Sequence, residues 1–367
     1  MAPSDADPNI VIGIDFGTTY SGVAWTWSKV EHTEIITSWE SREYSNSDNE
    51  KVPSAINISK TPGGEVSWGY ATDPDELPLR WFKLLLIEEK DLPNDVRESS
   101  QLREARAYLR NINKTAIEVI GLYLRHLWNH AIQIITTAVG KAVLNYSQHH
   151  VVITLPAIWP EYAKSRMREA AILAGIVQKR LEAETSLTFV SEPEAAALAT
   201  LSDLTQRPDI KKEDTFVVVD CGGGTVDIIS YKIVSTEPMT VRECVTGQGG
   251  LCGAVFVDDA FARLLELKMG KASWDKMTST SRQRILNDDW EHGIKKQFLG
   301  QERTWTIQYP FECIDSHERK SLKRWPKIEL DADDMCGVFR PVMNKIHDLI
   351  ENQIEKVTKS EHKAPKP

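Results

Sequence analysis

Two glycine-rich turns, each opening on an aspartate and lying about two hundred residues apart, hold the residue types that could grip a phosphate. The first is Ile10-Val-Ile-Gly-Ile-Asp15-Phe-Gly17-Thr18-Thr19-Tyr20-Ser-Gly22-Val. The second is Phe216-Val-Val-Val-Asp220-Cys-Gly222-Gly223-Gly224-Thr225-Val-Asp227-Ile-Ile. Each is a β-branched run ending in Asp, then glycine and threonine, then a second apolar run, which predicts strand, tight turn and returning strand. Glycine lets backbone N–H groups approach a phosphate closely, and threonine adds a hydroxyl donor. The aspartate at each strand end could hold hydrated magnesium, since Mg²⁺ keeps several of its own waters. A duplicated pair suggests two similar lobes gripping one nucleotide from both sides.

Phosphoryl transfer from a nucleotide needs backbone donors, a divalent cation and a carboxylate that orients water. Gly17, Thr18, Thr19, Gly222, Gly223, Gly224 and Thr225 are candidate phosphate donors, and Asp15 and Asp220 candidate metal residues acting through water. Between the turns lies Ser191-Glu192-Pro193-Glu-Ala-Ala-Ala, whose Glu192 is the candidate for aligning water or acting as base. Such carboxylates repel one another without a cation, so nucleotide binding is expected to depend on Mg²⁺. Either turn alone could be an ordinary hairpin, and Glu192 alone could merely occupy a helix first turn. The three motifs in this order argue against both.

Positioning these residues requires regular elements. Strand-like runs cover 10–15, 20–28, 33–38 and 54–58, with a turn at Thr61–Gly64. Residues 78–112 are helix-prone but interrupted by charge clusters, and apolar spacing predicts a long amphipathic helix over 115–139. A buried strand over 149–155 is broken by Pro156, and a helix over 161–174 ends at Gly175. A short strand at 188–190 precedes a helix starting at Ser191, its expected N-cap. The second half reads as a hairpin over 216–234, a strand over 239–246, and helices near 256–268 and 282–299. Strands near 304–309 and 327–330 and a helix over 333–357 complete it. A polar stretch, 202–214, suggests lobes of 10–204 and 205–358, flanked by a disordered tail, 1–9, and a polar tail, 359–367.

The chain has 367 residues, a net charge of −9, 41% hydrophobic and 26% charged residues, which fits two ordinary domains and argues against a large nucleic-acid footprint. No apolar run reaches membrane-spanning length. Five scattered cysteines and the absence of a leader pattern point to reduced thiols in the cytoplasm. Cys221, inside the second turn, is expected to be a small buried side chain. His126 and His130, four apart on a helix, lack a neighbouring glutamate base or a third ligand and are expected on a helix surface. The basic stretch 318–325 is expected to be a solvated loop or edge.

The three motifs in this order resemble the nucleotide-binding (ATPase) domain of the seventy-kilodalton heat-shock chaperones, within the actin, hexokinase and sugar-kinase superfamily. Asp15–Ser21 is similar to the first phosphate motif, Asp220–Asp227 to the second, and Glu192–Ala197 to the connecting motif. Thr154-Leu-Pro156-Ala resembles the segment that relays nucleotide state, with Lys164 at its basic position. Gly250–Gly253 is similar to a further turn near the phosphates. The resemblance implies an α/β fold of two ribonuclease-H-like lobes, the second incomplete, with Mg-ATP or ADP between them. It implies Tyr20 and Gly253 as further nucleotide contacts, and Glu291 and Lys295, with Lys296 beside them, as a rough match to the adenine-clamping helix. Those charges could equally be an exposed salt-bridged face.

The sequence departs from the family pattern in several places. Asp73 stands near the place of the first-lobe lysine, for which Lys83 is a substitute candidate. Ala254 and Val255 replace acidic residues after Gly253. The adenosine motif does not follow Val357, so the overall pattern is that of the divergent fungal and animal heat-shock-like branch, truncated before that motif. The implied function is an ATP-binding, weakly hydrolysing chaperone-like module with client or co-chaperone partners. A non-catalytic interaction protein and a small-molecule kinase of the same superfamily are the alternatives.

Overall fold

The computed structural model describes residues 9–29, 32–41, 48–59, 64–73, 76–92, 94–180, 183–204, 210–237, 239–314 and 316–366. The turn expected at 61–64 and the tail at 1–9 fall mostly outside them. The chain divides into two compact units. The first comprises Met1–Asp73, Pro78–Leu251 and Leu349–Pro367, and the second Pro74–Leu77 and Cys252–Asp348. Both glycine-rich turns and Glu192 belong to the first.

The first unit is built on a six-stranded sheet with the order β3-β2-β1-β7-β8 and β4 paired to β2. Its strands are β1 (Asn9–Phe16), β2 (Tyr20–Trp27), β3 (Glu34–Ile35), β4 (Val52–Pro53), β7 (Gln148–Leu155) and β8 (Thr185–Ser191). β1 and β2 form the antiparallel hairpin read from the sequence, with Asp15 opposite Gly22 and Phe16 opposite Ser21. β7 lies parallel to both β1 and β8. Period-2 alternation buries Ile10, Ile12, Ile14 and Phe16 on one face of β1, and the same rule buries His149, Val151, Ile153 and Leu155 on β7. The strand expected over 33–38 is only the two residues of β3. A two-stranded ladder pairs β5 (Ile56–Ile58) with β6 (Val66–Trp68).

Helix Ala116–Val139 matches the predicted amphipathic helix. It starts on a Thr115/Glu118 capping box and buries Val119, Ile120, Tyr123, Leu124, Leu127, Ala131 and Ile135. It packs on helix Glu161–Ala174 through Gly121, where a Cβ would lie 2.9 Å from the Leu173 Cβ. Gly175 ends that second helix in the left-handed region at φ 86°. His126 and His130 are not simple surface residues: they stack on Trp68 and Trp39 with ring centroids 6.0 and 4.9 Å apart. The aromatic side chains of β6 and of the segment after β3 cover this face of the helix, and burial holds both imidazoles below their usual range. The stretch 78–112 is not one helix. It breaks into tight turns at Phe82–Leu86 and Glu89–Asp91 before helices Asn94–Arg97 and Ser100–Ile112.

The unit's second sheet has the order β11-β10-β9, from β9 (Thr215–Cys221), β10 (Val226–Thr236) and β11 (Met239–Gly250). Asp220 and Asp227 face each other across the β9–β10 hairpin. Helix Glu192–Leu204 covers the sheet, with Ala197 packed against Ile229 and Tyr231. Ser191 caps it as expected, its hydroxyl accepting the Glu194 N–H. The end of helix Ala332–Glu361 also seats here: Gln353 is fully buried and donates to Ser230 Oγ at 2.8 Å.

The polar tail is tied back onto β9. Lys363 and Lys366 ammonium groups lie 3.0 Å from Asp214 oxygens, and the Lys366 N–H donates to Thr215 O. Burial opposes ionisation of Asp214. The hydrogen bonds from Lys366, Lys363 and the Lys211 N–H outweigh it and hold the carboxyl at about 2 instead of 3.8. A depressed folded value means the tether stabilises above about pH 4 and is lost as pH falls towards 2. Asp214→Asn should therefore flatten the acid limb of stability over that window, read by thermal unfolding across an acid pH series. An unchanged acid limb would assign acid unfolding to other groups.

The second unit has its own core around Phe261, Leu265, Trp290, Ile294, Trp305, Leu330 and Met335. Phe261 and Trp290 stack with centroids 3.8 Å apart. Helix Val255–Met269, β12 (Trp305–Gln308), β13 (Lys327–Leu330) and the first half of helix Ala332–Glu361 enclose this core. The helix expected over 282–299 runs instead as helix Ser279–Arg284, a wider-wound segment Ile285–Ile294 and a last turn Lys295–Gln297.

Candidate functional site

The tips of the two hairpins meet inside the first unit. A Cβ on Gly223 would lie 2.3 Å from Thr19 Oγ1, and one on Gly224 would lie 2.6 Å from Thr18 Oγ1. Only glycine fits at these two positions, because any side chain would drive the second turn off the first. Beside the tips is a cavity of about 510 Å³, lined by both turns together with Asp15, Lys51, Lys83, Thr154, Glu192, Ala195, Ala196 and Asp220. That volume falls in the range of small-ligand sites, and its charged groups converge from five separate elements.

The first turn is held from beneath. Ser54, just past β4, donates its N–H to Thr19 O at 2.8 Å and its hydroxyl to Gly17 O at 2.7 Å. Its hydroxyl also lies 2.8 Å from Ser21 Oγ. The second turn closes on itself, Gly222 N–H donating to Thr225 O at 2.9 Å. Behind it, buried Asp227 accepts the Ala157 N–H at 2.9 Å, which ties the segment after Pro156 to β10. Burial raises the Asp227 carboxyl, although hydrogen bonds from Thr225 and from the Ala157 and Ile158 N–H groups oppose the rise.

Two ion pairs organise the carboxylates. Lys83 Nζ lies 2.7 Å from Glu192 Oε1, with only 3% and 14% of the two side chains exposed. Phe16 and Trp159 rings flank the ammonium at 5.7 and 5.5 Å. Trp81, in the left-handed region at φ 62°, opens the tight turn that delivers this lysine. Burial raises the Glu192 carboxyl, and Lys83 counters part of that rise. The second pair joins Lys51 Nζ to Asp15 Oδ2 at 2.7 Å, at the more exposed side of the cavity. Thr154 Oγ1 donates to the other Asp15 oxygen at 3.3 Å. Asp220 is raised by burial and by the neighbouring charge of Asp15, so these two carboxylates stand close enough to oppose each other.

The Hsp70 protein family matches residues 113–358, two thirds of the chain. The chain belongs to the Hsp70 protein family. Heat shock 70 kDa protein 12B of Homo sapiens is 29% identical over 437 residues, spanning 95% of this chain and 61% of that protein. Heat shock 70 kDa protein 12A of Homo sapiens is 26% identical, spanning 95% and 61%. Chaperone protein DnaK of Ureaplasma urealyticum serovar 10 is 27% identical over 354 residues, 92% of this chain and 49% of that protein. The chain thus spans about three fifths of the length of the heat shock 12A and 12B relatives and half that of DnaK. Its mixed α/β architecture is that of the actin-like ATPase fold of the Hsp70 family.

Of the Hsp70-like site residues read from the sequence, Asp15, Gly17, Thr18, Thr19, Tyr20, Glu192, Asp220, Gly222, Gly223, Gly224 and Thr225 all line the one cavity. Lys83, the substitute for the first-lobe lysine, lines it too. Gly253, Glu291 and Lys295 lie in the second unit. There Lys295, with only 14% of its side chain exposed, pairs with Asp258 of helix Val255–Met269 at 2.7 Å and with Glu291 at 2.6 Å, so these charges do not form the exposed salt-bridged face that was the alternative to adenine clamping. Lys164 pairs with Glu161 at 2.6 Å on its own helix. Cys221 corrects an expectation: it is exposed, as the last residue of β9 on the cavity wall.

Sequence reading missed Lys51, Ser54 and the anchoring of Asp227. Ser54 and Lys51 flank Val52 and Pro53 in a short strand with no motif of its own. Asp227 was legible as part of the second turn, but its hold on Ala157 depends on a contact between β10 and a turn 70 residues earlier in the chain.

Among the described residues, no group of three or more His, Cys, Asp or Glu side chains could hold a metal directly. Two neighbouring carboxylates of one cavity, Asp15 and Asp220, instead suit a hydrated divalent cation that keeps its own waters. Among the described residues no helix is long and apolar enough to cross a membrane.

Proposed function

We propose that the cavity at the hairpin tips binds ATP with magnesium and hydrolyses it slowly, serving as the nucleotide module of a chaperone-like protein. The observation that carries this reading is the abutment of the two glycine turns, Gly223 on Thr19 and Gly224 on Thr18, which puts two sets of backbone and hydroxyl donors on one cavity wall. Family membership supports the nucleotide class.

In this reading Thr18 and Thr225 cradle the terminal phosphate, and Asp15 and Asp220 hold Mg²⁺ through water. The cation supplies neutralisation of phosphate charge. Glu192, paired with Lys83, orients the attacking water and accepts its proton. Its buried position above the ordinary carboxylate range makes it a better base than an exposed glutamate. Lys83 keeps Glu192 oriented and adds positive charge beside the phosphate. Asp227 couples the second turn to the segment after Pro156, giving nucleotide state a route to helix Glu161–Ala174. Clients or co-chaperones would read that state.

The test is calorimetric titration of ATP into the full chain with and without Mg²⁺, beside Asp220→Ala. Magnesium-strengthened binding in the micromolar range, weakened about tenfold or more in the variant, is expected. A folded wild type that takes up no ATP under either condition would leave the non-catalytic interaction protein as the better reading.

A further inference from the structure

Lys51 is the cleft residue that the phosphate motifs do not account for. It reaches the site by a built path. Its stem lies over β2 at Gly22, where a Cβ would come within 3.4 Å of its Cγ, and Gly22 is the residue paired with Asp15 across the hairpin. The missing side chain at Gly22 leaves the groove that leads the ammonium to Asp15 Oδ2.

The charge inventory of the cavity gives Lys51 a purpose. Its lining carries three carboxylates, Asp15, Glu192 and Asp220, and two ammonium groups, Lys51 and Lys83. Lys83 is committed to Glu192 in a largely buried pair at the cavity wall, and moving it would leave a buried charge uncompensated. Lys51 is not committed in this way. Its side chain is 55% exposed and Asp15 is 40% exposed, so their ion pair adds little stability and exchanges at small cost. The Lys51 ammonium is therefore mobile and within reach of whatever anion enters the cavity.

We infer that Lys51 is a built-in counter-cation of the nucleotide site: it neutralises Asp15 in the free protein and moves to a phosphate oxygen when nucleotide arrives, sustaining binding when magnesium is scarce. This rests on the nucleotide reading proposed above. Because Lys51 and hydrated magnesium share Asp15, the two cations substitute for each other. Removing Lys51 therefore costs most when the metal is absent.

Calorimetric titration of ATP in excess EDTA and in excess MgCl₂, with wild type, Lys51→Thr and Lys51→Arg as full chains, tests it. Lys51→Thr is expected to weaken metal-free binding by about tenfold or more and magnesium-loaded binding by less than about threefold, with Lys51→Arg close to wild type. Equal weakening under both conditions, or no change under either, overturns the inference and leaves the nucleotide reading standing. Wild-type protein that binds no ATP in either buffer overturns both. Thermal unfolding of each variant within a few degrees of wild type is expected for so exposed a side chain. A large drop would make Lys51 a structural residue and overturn its assignment as an exchanging cation.

Discussion

Lys83→Met should destabilise the first unit by about 3–5 kcal/mol at neutral pH, because it strands Glu192 in a low-dielectric site without its partner. The size follows from burial: only 3% of the lysine and 14% of the glutamate side chain is exposed, and Phe16 and Trp159 keep water from the ammonium. Methionine roughly preserves the stem's volume, so the loss reports charge and not a cavity. Glu192→Gln leaves the opposite charge stranded and should also be costly. The double variant should recover most of either loss, since a well-packed neutral pair often equals a buried ion pair. The pH dependence has a definite sign. Burial already raises the Glu192 carboxyl, and removing Lys83 removes the charge that restrained it. A raised folded value gives stability that is full below the unfolded value of 4.5 and lost as pH rises through the folded one. The variant should therefore lie nearest to wild type in mild acid and furthest from it at neutrality. Urea unfolding of the four proteins at about pH 5 and 7 measures both effects. Single variants within about 1 kcal/mol of wild type would show that the pair is compensated by water.

Gly17→Ala should cost about a hundredfold or more in ATP affinity, about 3 kcal/mol, while leaving the surrounding sheet folded. The reason is steric and backbone-based. A Cβ at position 17 would lie 2.2 Å from the Tyr20 carbonyl oxygen, and no rotamer change can relieve a clash with the chain itself. The turn must reshape, which pulls Gly17 O and Thr19 O away from Ser54 and moves the Thr18 and Thr19 donors. The β1–β2 ladder from Ile10 to Phe16 does not depend on the turn's interior. Gly13→Ala is the internal control. In the same strand, its added Cβ would meet nothing closer than Ala24 O at 3.8 Å, so binding should stay within about threefold of wild type. Titration of ATP with Mg²⁺ into both variants, beside circular dichroism, separates the outcomes. Near-normal binding by Gly17→Ala would show that the first turn does not contact the nucleotide.

The two predictions draw on different kinds of information. Gly17 was legible in the sequence: a glycine after an aspartate, between β-branched runs, states its own backbone requirement. The same holds for the Ser191 cap, for Gly175 ending its helix in the left-handed region, and for the alternation that buries Ile10, Ile12 and Ile14. Short-range signals faded where packing overrode them. The charge-rich stretch 78–112 broke into tight turns, since its apolar residues Phe82, Leu84 and Leu86 serve the core one turn at a time. Cys221 came out exposed because strand ends are covered only by what the tertiary fold places over them.

By itself the sequence determined the two glycine-turn hairpins and the helix carrying Glu192, because turn sterics, capping and burial period act between near neighbours in the chain, and the order of its motifs carried the resemblance to the family that the comparison shows. Only the tertiary structure decided which lysines serve them. Lys83 meets Glu192 across 109 residues and Lys51 meets Asp15 across 36. No periodicity links such partners. Long flexible side chains choose among carboxylates by burial and reach, and those quantities exist only once the sheet, the strained turn at Trp81 and the groove at Gly22 have brought the partners together.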